Sequence, residues 1–471
     1  MFLYLRGRTN TAAIQSIAVM PFVNESGNAD LEYLSDGMTD TLISNLSQLP
    51  NLNVKAHSSV FRYKSKDTSS QTIARDLNVQ AILNGRIAQH GDQLTLTLEL
   101  VDAKTENVIW SDQYSRKQAD LVSLQSEIAR DVSTKLRTKL SGVEEQRVAK
   151  TYTTNPEAYQ LYLKGLFYWN KRTPDDLKRS IEYFNQAVAK DPGYGLAYAG
   201  MSQAYVLLPE YFAGMPQDCY PKAISAARRA LELDGSLAEA HATLGEAFDN
   251  QIKFADARNE YQQAITLNPN YATGHQWYGG SLMVAGRFDE AIAEGKRAQE
   301  LDPLSLIIND NLGEYYHYAG QYDKALAEYK KVFEIDPNFF LAHVDAGSAY
   351  VMKGMYAEAL AEFKRTQELN VDPNYYLPYV GYVYGVSGQR DEALKVLDQM
   401  KTVAAKGNIA PYNFAMVYAG LGDKDAVIEQ LEKDYQSGDP TFKYTAVDPC
   451  FKALRSDPRY TDLLRRAGFS Q

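Results

Sequence analysis

Residues 279–303 read GGSLMVAGRFDEAIAEGKRAQELDP, and residues 313–337 read GEYYHYAGQYDKALAEYKKVFEIDP, the second stretch following the first at an interval of 34 residues. The interval extends in both directions. Gly245, Gly279, Gly313, Gly347 and Gly381 are each 34 apart; three residues beyond each stands Phe248, Leu282, Tyr316, Tyr350 or Tyr384, and twelve beyond stands Ala257, Ala291, Ala325, Ala359 or Ala393. Pro269, Pro303 and Pro337 close successive units, with Pro373 displaced by two, and Gly286, Gly320, Gly354, Gly388 and Gly422 mark a second turn position. A period of this length is that of a helix-turn-helix unit, which buries its apolar face only by stacking on its neighbours. Glycine and alanine are expected where two helices cross closely, with the aromatic filling the gap beside them; the turn glycines suit a left-handed C-cap and proline ends the second helix.

Working outward, the units become less regular. The first, Gly165 to Pro192, carries three extra residues near Lys171 to Pro174. The second holds an insertion near Pro209 to Pro221, and the last, Tyr412 to Gly438, has Ala415 at the glycine position. Divergent end units are expected of caps that face water. The array thus runs over residues 158–440 as about eight repeats, followed by a helical cap at 441–471.

The first 150 residues change character. Ile17–Phe22 reads as a buried strand, Leu31–Leu49 as a helix through Leu34, Met38, Leu42, Ile43 and Leu46, Leu52–Ser58 as a strand, Thr68–Leu77 as a helix with a Thr or Ser cap, and Ala81–Ile87 as a strand. Strict alternation over Leu94–Leu100 gives a half-buried strand, paired through a turn with Val108-Ile109-Trp110. A helix from about Ala119 to Leu140, with Leu121, Leu124, Ile128, Val132 and Leu136 on one face, closes an α/β domain over 14–140. Residues 141–157 read as a linker. The fold class is α+β multidomain: an α/β domain followed by an all-α solenoid.

Composition bounds the function. A formal charge of −10 and no Lys/Arg-rich run argue against nucleic acid as a partner of this chain. Cys219 and Cys450 are too few for a disulfide framework or a zinc site. No stretch approaches the roughly 20 apolar residues of a membrane span, although Met1–Arg8, an apolar cluster ending in arginines, resembles the last turns of one. There is no phosphate loop, no G-x-S-x-G, no H-E-x-x-H and no C-x-x-C, so no catalytic residue, metal ligand or cofactor is assigned and a non-enzymatic protein is expected. His241, His275 and His343 share the fourth position of their repeats and are read as packing residues. Asp36, early in a predicted helix, is read as a cap or dipole partner, and Gly85, in a strand, as a bulge or close backbone approach.

The segments Ser16–Phe22, Tyr33–Met38, Ala81–Gly85 and Val108–Trp110 resemble the TolB-like domain that precedes tetratricopeptide (TPR) arrays in bacterial signalling proteins, and Asp448–Tyr460 resembles the ending common in that group. The resemblance implies a C-terminal half of CadC-like regulators, Ser/Thr kinases or adenylate cyclases, with an upstream membrane anchor and a periplasmic or extracytoplasmic location; the alternative is cytoplasmic. It also implies that first-helix positions face a concave groove. Those positions here are Glu239, Glu246, Asp249, Asp310, Glu314, His317, Tyr375, Tyr382 and Tyr412, an acidic middle and an aromatic C-terminal section suited to an extended protein or peptide segment carrying Lys or Arg and apolar side chains. The expected function is a protein-protein interaction scaffold, the sensory or assembly portion of a signalling system. A self-associating, filamentous structural protein and a small-molecule-binding sensor are the alternatives.

Overall fold

The computed structural model of the chain describes residues 14–136, 141–211, 215–405 and 409–469. Met1–Arg8, and the end of the helix expected to reach Leu140, lie outside them. The chain divides into two compact units. One comprises the residues up to 172 with 178–197 and 268–270, the other residues 173–177, 198–267 and 271 onward.

In the first unit a six-stranded sheet is built from β1 (Ser16–Val19), β2 (Val23–Asn24), β3 (Asn53–Val54), β4 (Ala81–His90), β5 (Gln93–Asp102) and β6 (Val108–Lys117). The order is β3-β1-β4-β5-β6, with β2 paired to β4; β1 runs parallel to β3 and β4, and β4-β5-β6 is an antiparallel meander. Ile17, Ala18 and Val19 are fully buried, as a strand between two parallel neighbours requires. Leu94, Leu96, Leu98 and Leu100 turn inward from β5 as their alternation predicts.

The helices are α1 (Glu32–Ser47), α2 (His57–Phe61), α3 (Ser70–Leu77), α4 (Leu121–Lys135) and α5 (Gly142–Val148). The strand expected over 52–58 stops at Val54. The chain then turns into α2, where the His57 ring stacks on Phe61 at 3.7 Å and its Nδ1 meets Asp40 Oδ1 at 2.5 Å. Ser69 caps α3 through the Thr72 N–H. Asp36 is not a cap: it is buried and accepts from Lys64 Nζ at 2.6 and 2.8 Å. A Cβ on Gly85 would lie 2.2 Å from the Phe22 ring, the close approach expected there. The predicted linker contains α5, opened by a reciprocal pair in which the Ser141 N–H donates to Glu144 and the Glu144 N–H to Ser141 Oγ.

The first hairpin, α6 (Pro156–Lys171) and α7 (Pro174–Lys190), belongs largely to this first unit. Gly37 of α1 is the reason: a Cβ there would lie 2.8 Å from Leu163 Cβ, so α6 sits directly on α1. The compact division therefore falls inside the helical array and not at the linker.

The second unit carries α8 (Gly195–Leu207), α9 (Pro216–Leu233) and six hairpins: α10 (Ala238–Asp249) with α11 (Phe254–Leu267), α12 (Ala272–Val284) with α13 (Phe288–Leu301), α14 (Leu306–Tyr318) with α15 (Tyr322–Ile335), α16 (Phe340–Met352) with α17 (Tyr356–Glu368), α18 (Leu377–Val386) with α19 (Arg390–Ala404), and α20 (Pro411–Gly420) with α21 (Lys424–Ser437). Its last helix is α22 (Pro458–Arg466). Each first helix packs on its own second helix and on the first helix of the next hairpin, so α10, α12, α14, α16, α18 and α20 form the inner layer.

The repeating glycines do the expected work with a different partner. Cβ atoms at Gly245, Gly313 and Gly347 would fall 2.7, 2.3 and 2.3 Å from the rings of Tyr261, Tyr329 and Phe363, sixteen residues on, in the second helix of the same hairpin. The aromatic three residues on is not the one that fills the gap. In the α12–α13 hairpin the sixteenth residue is Gly295, and Tyr315 of the next hairpin fills the space against both Gly279 and Gly295. Ala257, Ala291, Ala325, Ala359 and Ala393 are fully buried, and the turn glycines have φ between 72° and 80°. The histidines form a ladder: Nδ1 of His241, His275 and His343 lies 2.5–2.6 Å from Glu260, Glu294 and Glu362, each tying first helix to second.

Gly313→Ala, which drives a methyl into Tyr329, should therefore cost about 1–3 kcal/mol, as overpacking does. Gly280→Ala, whose nearest neighbour would be 3.8 Å away, should leave stability unchanged or raise it by up to about 1 kcal/mol on helix propensity. Urea unfolding of the two variants measures the contrast; equal midpoints would mean that the glycine crossing does not set the packing.

Candidate peptide-binding groove

The inner layer presents a band of carboxylates. Glu246 is buried and accepts from Tyr261 OH at 2.7 Å and from Asn250 Nδ2 at 2.9 Å. Asp249 is buried beside it, accepting from Ser281 Oγ at 3.0 Å. Two and three hairpins on, the Asp310 and Asp345 side chains hydrogen-bond to one another with Glu314 alongside, and Asp310 Oδ1 has no hydrogen-bond partner among the described residues. Two carboxyls in one hydrogen bond must share a proton.

The groove is occupied by the chain's own C-terminal segment. Where a helical cap was expected from 441, the structure has 3-10 turns at Pro440–Tyr444 and Pro449–Leu454 before α22. Lys443 Nζ donates to Asn250 Oδ1 at 2.7 Å and stands 3.8 Å from Glu246 Oε1, with its side chain only 14% exposed. The Tyr444 ring stacks on Tyr318 at 6.0 Å and packs on the core of the central hairpins. Phe442 and Phe451 join a core with Tyr412, Val427 and Leu431, and Asp448 accepts from Tyr412 OH. The occupant is thus a segment that places Lys443 among apolar side chains.

Of the nine residues named from sequence, Glu246, Asp249, Glu314 and Tyr412 interact with this segment directly or through its charge, and Asp310 joins them through Glu314. His317 is buried with Nδ1 lacking a hydrogen-bond partner, edge-on to Tyr318 and Tyr322 and influenced by Asp448. Tyr382 packs with the C-terminal core. Glu239 lies half-buried at the start of α10, and Tyr375 sits edge-on against Phe340. Asp345, Asn250, Tyr318 and Asp434 were not named, although all but Asp434 stand on or just beyond first helices and were open to the same register reading. Among the described residues there is no group of three or more His, Cys, Asp or Glu that could hold a metal ion, and no helix is long and apolar enough to cross a membrane.

Burial dominates the electrostatics. It lifts the Asp249 carboxyl to about 7, against the opposing Lys443 charge, and lifts Asp345 to about 7. Glu314 rises to about 8 through burial and then repulsion from Asp345, and Asp310 is raised for the same two reasons. Lys443 is raised: burial works against its ammonium, but Glu246 and Asp249 outweigh that cost. Burial pushes His317 down to about 4.

Asp249, Asp345 and Glu314 keep protons in the folded state up to pH 7–8 that the unfolded chain releases near pH 4, so their contribution to stability is lost as pH rises from about 4 through 7–8. His317 acts oppositely, losing its contribution as pH falls from about 6.5 toward 4. The melting temperature should accordingly be higher at pH 6.5 than at pH 8.5, and Glu314→Gln with Asp345→Asn should flatten that difference. Melts followed by circular dichroism at both pH values check it; a wild-type melting temperature rising toward pH 8.5 contradicts the account.

Comparison with known proteins agrees with the repeat register. Residues 242–305 match a tetratricopeptide-repeat model and residues 313–354 a TPR-repeat model. Residues 13–131 match the second domain of HilA/YgeH-like transcriptional regulators, so the match there names a different domain from the TolB-like one. A relative from Rhizobium meliloti (strain 1021), provisionally named adenylate cyclase 3, is 30% identical over 238 residues, 49% of this chain, and the chain spans 40% of that relative's length. Among solved structures, MamA is 27% identical over 33% of this chain and 90% of its own, with a TM-score of 0.29. PilF of Pseudomonas aeruginosa is 23% identical over 44% and 93%, at 0.34. YrrB, described as a TPR protein with an unusual peptide-binding site, is 21% identical over 41% and 95%, at 0.31. The hairpins within residues 242–354 are thus matched as tetratricopeptide repeats, in a helical array preceded by a small sheet-containing domain.

Proposed function

We propose that this chain is a non-enzymatic scaffold whose inner groove recognises an extended segment of a partner protein, and that it serves as the sensory or assembly portion of a bacterial signalling system. One observation carries the first part: the groove already holds a segment of 3-10 turns, with a lysine set against carboxylates and aromatic side chains set against tyrosines. Such a surface combines charge complementarity, which selects the partner, with apolar burial, which holds it. The matches to a transcriptional-regulator domain and to a relative named as a cyclase support the signalling part, and the extracytoplasmic placement expected from sequence belongs to the same proposal.

Selection of random 12-residue peptides on the immobilised chain should enrich sequences with Lys or Arg beside Phe or Tyr. Glu246→Gln with Asp249→Asn, which keeps side-chain size and removes charge, should weaken the enriched peptides about tenfold, roughly 1.4 kcal/mol, and reduce their salt dependence. Titration calorimetry showing unchanged affinity, or a selection with no basic-aromatic consensus, removes the groove from the proposal.

A further inference from the structure

We propose that Asp439–Leu454 is a resident and displaceable ligand of the groove, and that the partner replacing it is a protein segment presenting an aromatic-cation-aromatic triplet with at least one further Lys or Arg. The proposal rests on the reading of the groove as a recognition surface and names what that surface takes.

The segment has an internal repeat of its own. Asp439-Pro440-Thr441-Phe442, Asp448-Pro449-Cys450-Phe451 and Asp457-Pro458-Arg459-Tyr460 follow one another at nine-residue intervals. In each, the Asp carboxylate accepts from the backbone N–H two residues on, at 2.9, 2.8 and 3.0 Å, and proline opens the turn with its φ preset. Phe442, Phe451 and Tyr460 are buried to 1% exposure or less. Backbone bonds such as Phe442 N–H to Asp439, Thr445 to Phe442, Val447 to Tyr444 and Phe451 to Asp448 stay within the segment. Its turns are thus formed locally, and its side chains make the attachment. A segment attached in this way is open to replacement by another with the same side chains in the same order.

The fit is incomplete in charge. Glu246, Asp249, Asp310, Glu314 and Asp345 line the site, and Asp434, fully buried, lies 3.5 Å from Thr441 Oγ1. Against these the segment places one ammonium, that of Lys443; the lysine of the second turn, Lys452, is exposed. Asp310 Oδ1, in a residue 2% exposed, is left without a hydrogen-bond partner. A segment with a second cation would pair with carboxyls that the resident one leaves to protonation.

The hairpin under Lys443 is also distinctive. Its turn holds Ile252 at φ 61° where the later five hairpins have glycine, and Ile252 packs on the core that contains Phe442 and Phe451. Ile252→Gly restores the turn residue of the other hairpins and removes a contact of the core in which Phe442 and Phe451 are seated, which makes it a release variant.

The test uses the full chain and fluorescein-labelled peptide Asp439–Leu454, with Lys443→Glu and Thr441→Lys forms of that peptide, followed by anisotropy. The chain carrying Lys443→Ala with Tyr444→Ala, and separately the Ile252→Gly chain, should bind the native peptide at least tenfold more tightly than wild type does. The Thr441→Lys peptide should bind tighter still and the Lys443→Glu peptide not measurably. Equal binding to wild type and both variants, or no binding to variants whose circular dichroism is native, overturns the proposal and makes the segment a fixed part of the fold. Should the double variant lose its helical signal, amide exchange on the wild-type chain decides: residues 439–447 exchanging faster than the α12–α17 hairpins supports release, and equal protection refutes it. A negative result here beside a positive peptide selection leaves the recognition surface standing with a static segment; failure of both removes the surface itself.

Discussion

An aromatic ring seated where a glycine has no side chain fixes the distance between the two helices of a hairpin, and that distance sets everything built above it. Tyr329 over Gly313 and Phe363 over Gly347 occupy the volume a Cβ would need. The tight crossing brings the first helices into contact with one another as well as with their partners, so they become the inner layer of the array. Side chains one and four residues beyond the glycine, such as Glu246, Asp249, Glu314 and His317, then converge on a single surface from helices far apart in sequence. Where the aromatic is missing, as at Gly295, the ring is supplied by Tyr315 of the next hairpin, whose hydroxyl donates to the Gln276 carbonyl at 2.6 Å. The volume is filled from either side, so the requirement is on the space and not on one residue.

Carboxylates brought together in this way are costly to bury. Water is withdrawn from Asp249 and Asp310, and neighbouring charges of the same sign add to the penalty; protonation relieves it and a cation relieves it more completely. Lys443 does so for the Glu246 and Asp249 end, helped by Asn250, which donates to Glu246 and accepts from the ammonium. Asp310 and Asp345 are left to share a proton. A buried pair of this kind adds little net stability over an apolar alternative, and its value is specificity of pairing. Under the proposed reading, charge selects among segments and their aromatic rings hold them.

The part of this legible in the sequence is the part imposed by packing. Glycine, alanine and proline at a 34-residue interval cannot be replaced without steric cost, so the hairpins, their turns and the packing role of His241, His275 and His343 could be read directly. The aromatic sixteen residues after the glycine could not, because Gly295 and Leu397 break its register while the space is filled by other means. The strand expected over 52–58 is present only as Asn53–Val54, because the chain turns into a helix at His57, where the ring stacks on Phe61 and meets Asp40. The register marks positions along the first helices, but not the C-terminal segment that lies against Glu246 and Tyr412. Asp-Pro signals report a local turn and say nothing of what the turn rests against, so residues 441–471 read as a terminal cap. The nine-residue spacing of Asp439, Asp448 and Asp457, with an aromatic three residues after each, was the available signal.

Ile252 shows how the array and its resident segment are balanced against each other. A left-handed backbone costs an L residue with a branched Cβ about 1–2 kcal/mol, a cost that Gly286, Gly320, Gly354, Gly388 and Gly422 do not incur at the equivalent turns. In the hairpin that meets Lys443 the isoleucine is compensated by its contact with the C-terminal core, and only while that core is in place. Removal of the segment would leave the strain and lose the contact, which opposes release. The carboxyls left to protonation rather than paired with a cation favour exchange for a more basic segment. One turn residue outside the groove and one shortage of positive charge within it therefore act on the same equilibrium from opposite sides. Their difference, not the strength of any single contact, sets how basic an incoming segment must be.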